Sequence, residues 1–96
     1  MVVHIVFLQF KEDNKEANIL KVKNLLESLP KKISVLKSLE VGINFDEAER
    51  AMDLSLHTTF KTKEDLNSYA IHLEHLKVIE VIKQVTEYSK VVDYEK

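Results

Sequence analysis

The chain has 96 residues, 45% hydrophobic and 31% charged, the proportions of one soluble globular domain over residues 1–96 and too few residues for two. The absence of cysteine excludes disulfides, thiolate metal sites, iron–sulfur clusters and cysteine nucleophiles, while the single glycine and single proline exclude Gly-rich phosphate loops and Pro-rich linkers. With 14 basic and 16 acidic residues, a net charge of −2 and no block of like charge, there is no concentrated basic face, so no nucleic-acid partner is expected.

The elements follow in chain order. Val2 to Phe10 is rich in Val, Ile and Phe and reads as a central strand, apolar on both faces. Lys11 and Glu12 stop this apolar run at about ten residues, too short to span a membrane. No basic leader precedes it, so a cytoplasmic, membrane-free protein is expected. Asp13 or Asn14 is placed to cap a helix, with Glu16 in capping-box spacing from Asp13. Ile19, Val22, Leu26 and Leu29 then mark its apolar stripe, and Pro30 ends it. After a turn over residues 31–35, a second strand from Lys37 to Phe45 alternates, with Leu39, Val41, Ile43 and Phe45 on one face. Gly42 inside it signals a bulge or a close approach. Residues 46–50 form a polar loop. From Met52 the alternation resumes as a third strand, with Leu54, Leu56, Thr58 and Phe60 opposite Asp53, Ser55, His57 and Thr59.

Thr62 and Asp65 make a second capping box for a helix through Leu66, Tyr69 and Ala70 toward His72. A further helical stretch carries Leu76, Ile79, Ile82 and Lys83 near one face, with Val78 and Val85 beside it and a bend expected between His72 and His75. Residues 88–95 read as the last strand. The resulting order βαββαβ predicts an α+β, ferredoxin-like protomer: an antiparallel four-stranded sheet with its helices on one face, because crossovers are right-handed. The other face carries part of the apolar first strand and cannot remain a large exposed patch. A domain of this size buries only roughly 60–65% of its unfolded surface, so pairing of two sheets as a homodimer supplies the missing burial.

All four histidines fall in or beside these elements: His4, His57, His72 and His75. Histidine titrates nearest neutrality and is the usual general acid or base, and a tyrosine hydroxyl beside it orients a carbonyl. At spacings of three, Tyr69, His72 and His75 fall along one helical stripe and converge on one cavity. Each also has a structural reading: His4 as a hydrogen-bonded core residue, His57 as a solvated strand position, Tyr69 as an amphipathic sheet-edge residue. The His72/His75 pair has metal-ligand spacing but no identifiable third ligand, so no metal is expected. Asp93, between Val92 and Tyr94, either faces a cavity or charges an edge strand against aggregation.

Five segments, VVHIVFLQF at 2–10, SLEVGIN at 38–44, DLSLHTTF at 53–60, YAIHLEH at 69–75 and VVDY at 91–94, together resemble the stress-responsive dimeric α/β-barrel family, called Dabb. The resemblance covers almost the whole chain. It implies a dimeric α+β barrel of ferredoxin-like protomers, in a family that includes stress-induced proteins and a polyketide cyclase. By the kept Tyr-x-x-His-x-x-His spacing, it places the cyclase's general base on His75 and its tyrosine on Tyr69, with the first-strand histidine on His4. Leu73 stands where the family commonly has proline, and the cyclase's third-strand histidine aligns with Leu54, so that His57 falls on the opposite face. The expectation is a homodimer with a pocket for a small apolar ligand bearing a carbonyl or hydroxyl, using no metal or organic cofactor. His75, Tyr69 and His4 are the catalytic candidates, and His72 and His57 are candidate ligand contacts. A non-enzymatic stress or interaction dimer and a cofactor-free monooxygenase are the alternatives.

Overall fold

The computed structural model describes all 96 residues. Strand β1 (Val2–Phe10) leads to helix α1 (Lys15–Glu27), a 3-10 turn at Leu29–Lys31, and strands β2 (Ser38–Ile43) and β3 (Leu54–Phe60). Helices α2 (Lys63–Ile71) and α3 (Leu73–Val85) then precede strand β4 (Thr86–Glu95). The sheet order is β2-β3-β1-β4, every pairing antiparallel, as expected for a ferredoxin-like protomer with β1 central.

Cross-strand register assigns the two faces. His4 pairs with Thr58 and Asp93, and Val6 with Leu56 and Val91, so these side chains share the face under the helices. That face holds the core: Val2, Leu8, Phe10, Leu54, Leu56 and Phe60 pack against Ile19, Val22 and Leu26 of α1 and Val78 and Ile82 of α3. The outer face carries Val3, Ile5 and Phe7 from β1, with Val92 (50% exposed) and Tyr94 (43% exposed) from β4.

Several boundaries differ from the sequence expectation. At the start of α1 no capping box forms. Asn14 is the cap residue in a left-handed conformation (φ 54°), and its side chain makes no capping hydrogen bond. The helix closes at Glu27, and Pro30 lies inside the short 3-10 turn that follows. Strand β2 stops at Ile43, leaving Phe45 98% exposed beyond its end rather than on the apolar face. β3 begins at Leu54; just before it, the Asp53 carboxylate accepts from the Phe10 amide at 2.8 Å and lies 3.5 Å from the Lys15 ammonium. There is no bulge at Gly42. A Cβ there would meet Ser55 Oγ at 2.9 Å, the close approach that the glycine permits. β4 starts two residues before the expected Tyr88, directly after α3, with Thr86 Oγ1 hydrogen-bonded to the Ile82 carbonyl. No helix is long and apolar enough to cross a membrane.

Candidate functional site

The path of α2 into α3 sets the site. Thr62 caps α2 by accepting from the Asp65 amide at 3.0 Å, and the helix runs to Ile71. His72 then leaves helical geometry (φ −62°, ψ 135°), and its Nδ1 accepts from the Glu74 amide at 3.1 Å, capping α3. The bend therefore forms with Leu73 in the following position, because the His72 side chain satisfies an amide at the new helix start. The break also removes the continuous stripe expected through Tyr69, His72 and His75. His72 is consumed as a cap, while Tyr69 and His75 come together across the bend with ring centroids 4.2 Å apart.

His75 Nδ1 lies 3.0 Å from the Ala70 carbonyl. A carbonyl only accepts, so Nδ1 carries the proton and Nε2 of the neutral ring holds the lone pair. Burial lowers the His75 pKa, as do the nearby His4 and His72, while the bond to Ala70 opposes them. The neutral, basic form is thereby favoured near pH 7.

Tyr69 is 1% exposed, packed against Phe60 at 5.0 Å between ring centroids and edge-on to His4 at 6.5 Å. Its hydroxyl is buried without a partner, and burial pushes its pKa up to about 12, so it stays a proton donor. On the other side of Tyr69, His4 Nδ1 donates to Asp93 Oδ1, and the His4 carbonyl accepts from Thr58 Oγ1 at 2.8 Å. Asp93 is thus drawn to a ring of the central strand and is not only an edge charge. Its alternation with Val92 and Tyr94, and the pairing of its strand with β1, are the signals that point to this contact.

His4 and His75 line one cavity of about 430 Å³ between the sheet and α3. Val6, Leu8, Leu26, Leu56 and Ile79 give it a largely apolar wall. Tyr69, expected to converge on the cavity with the histidines, is not on its wall: it is buried behind them, its ring against both. His72 is absent from this wall, and His57 belongs to the opposite sheet face, paired with Ile5 and Glu40. Lys83, which the sequence places on the face of Ile79 and Ile82 without a role, lines the far end of the same cavity with Glu87 and Ser89, which sequence reasoning did not pick out. No group of three or more His, Asp or Glu side chains is placed to hold a metal ion.

The model of the stress responsive A/B barrel domain matches residues 2–96. The chain belongs to this Dabb family. A solved dimeric protein of unknown function with a ferredoxin-like fold, from Bacteroides fragilis, is 31% identical, with a TM-score of 0.91 over 99% of this Dabb chain and 95% of that one. A hydroxynitrile lyase from Passiflora edulis shares the fold at 21% identity, with a TM-score of 0.85 over 97% of this chain and 90% of its own. A stress-response A/B barrel domain-containing protein of Arabidopsis thaliana is 25% identical over 98% of this chain and 46% of that protein. The Dabb chain spans less than half the length of the curated relatives it matches.

Proposed function

We propose that this Dabb domain binds a small, largely apolar carbonyl compound and abstracts a proton from the carbon next to the carbonyl. The observation that carries this reading is His75 at the wall of an apolar cavity, its Nδ1 engaged by Ala70 and its ring backed by the buried Tyr69. Nε2 of His75 takes the proton as general base, and the electron pair left on carbon delocalises onto the carbonyl oxygen as an enolate. The Tyr69 hydroxyl, protonated, lacking an internal partner and closed off behind the two histidines in the ligand-free fold, becomes the donor to that oxygen when ligand entry opens the wall. His4, held by Asp93, fixes the other side of the tyrosine ring. One neighbour of this fold is named as a lyase, so the fold accommodates catalysis.

The functional unit in this proposal is a homodimer in which the outer sheet faces pair. Ile5, Phe7, Val92 and Tyr94 leave an apolar strip there that a second copy covers. The dimeric neighbour of the same fold supports it.

Hydrogen–deuterium exchange at the α-carbon of methyl ketones, followed by NMR in heavy water, tests the chemistry whatever the natural substrate is. Wild-type protein should accelerate exchange, and His75→Ala should abolish the acceleration with its melting temperature nearly unchanged. No acceleration with any ketone, together with a loss of about 1–3 kcal/mol of stability in His75→Ala, would instead make the histidine a structural hydrogen-bonding group in a non-enzymatic dimer.

A further inference from the structure

The cavity has two polar ends. His4 and His75 mark one; Lys83, Glu87 and Ser89 mark the other. Backbone geometry gives their separation twice over. His75 and Lys83 are eight residues apart within α3, about 12 Å at 1.5 Å per residue. His4 and Leu8 are four residues apart in β1, about 13 Å at 3.3 Å per residue, and Leu8 pairs with Ser89 at the far end. A helix and a strand on opposite walls thus measure the same length, with Val6, Leu56, Ile79 and Ile82 between the ends.

The far end has unengaged charge. Neither Lys83 nor Glu87 takes part in any ion pair. A lysine in the last turn of a helix is favoured by the helix dipole alone, but this one also opens onto an apolar cavity. Three of the four terminal carbonyls of this helix are occupied: Ile82 by Thr86 Oγ1, Gln84 by the Lys11 ammonium at 3.1 Å, and Val85 by the Lys11 amide at 2.9 Å. At this end the cavity wall holds one ammonium, Lys83, and one carboxylate, Glu87, that is not paired with it.

We infer that the cavity selects an elongated, medium-chain oxo acid, its carbonyl at His75 and its carboxylate on Lys83. This inference rests on the carbonyl-binding reading of the histidine end and adds the class of molecule that fills the remaining length. The Ser89 hydroxyl offers a hydrogen bond to the same carboxylate.

Calorimetric titration with a medium-chain methyl ketone bearing a terminal carboxylate, compared with the methyl ester of the same compound, tests it. The acid should bind wild-type protein roughly three- to tenfold more tightly than the ester, as expected for one charge-assisted contact at an exposed ammonium. Added salt should shrink that advantage. Lys83→Gln should erase the difference between acid and ester, and Glu87→Gln should enlarge it. Equal affinities of acid and ester for wild type, or an acid preference that survives Lys83→Gln, would overturn the assignment of Lys83. Ester binding without an acid advantage removes only that assignment, whereas absence of binding by either compound removes the reading of the histidine end as well.

Discussion

Tyr69 and His75 separate chemistry from stability at single positions. A buried hydroxyl without a partner carries a desolvation cost of about 1–3 kcal/mol. Tyr69→Phe should therefore melt no lower than wild type, and by up to about 1 kcal/mol more stably, while α-proton exchange falls. A variant that loses stability and keeps activity would reverse the roles. His75 adds a pH signature whose sign follows from its lowered pKa. The unfolded chain binds a proton near the ordinary value of about 6.5, and the folded one only at lower pH. Folding stability is thus fully retained above that value and declines as pH falls through the window down to the folded pKa. Denaturant unfolding at a series of pH values should show this decline in wild type and a smaller one in His75→Gln. The candidate pair was legible in the sequence because the Tyr69 and His75 spacing survives the bend. The role of His72 was not, because three-residue spacing describes a continuous helix and a capping imidazole interrupts it.

The junction of α2 and α3 is the element on which the site depends. His72 satisfies an amide at the start of α3, so His72→Ala should cost about 0.5–2 kcal/mol, and His72→Asn, which keeps an acceptor, should recover most of it. Thermal or urea melts of the two variants check the difference; equal stabilities would deny the imidazole its capping role. In the strands, alternation located β3 and its buried set Leu54, Leu56, Thr58 and Phe60. It overextended β2, because Phe45 keeps the period of the strand while the register with β3 ends at Ile43 opposite Leu54 and the last bond runs from the Asn44 amide to the Asp53 carbonyl at 2.9 Å. The early start of β4 was equally hidden: no turn residue separates Val85 from Thr86, and the boundary is set by a side-chain bond to Ile82.

Across the domain, the sheet divides the labour between its faces. The face under the helices makes the core and the cavity, and the outer face retains apolar residues on β1 and β4. A charge placed there, as in Ile5→Glu or Val92→Glu, should convert the proposed dimer to monomer in analytical ultracentrifugation. An unchanged sedimentation profile would place the interface elsewhere. Topology and the unmet face could be read from composition and periodicity alone. The polar far end of the cavity could not, since Lys83 and Ser89 meet only when α3 packs against β4.

The proposed chemistry stands on His75 presenting a neutral Nε2 lone pair to a ligand in this cavity. NMR titration of the imidazole nitrogens measures that state. His75 should be protonated on Nδ1 at neutral pH, titrate below the ordinary histidine range, and shift its Nε2 resonance when a ketone is added while His57 stays unchanged. An Nε2-protonated ring, or titration at or above the ordinary range, would rule out His75 as the base.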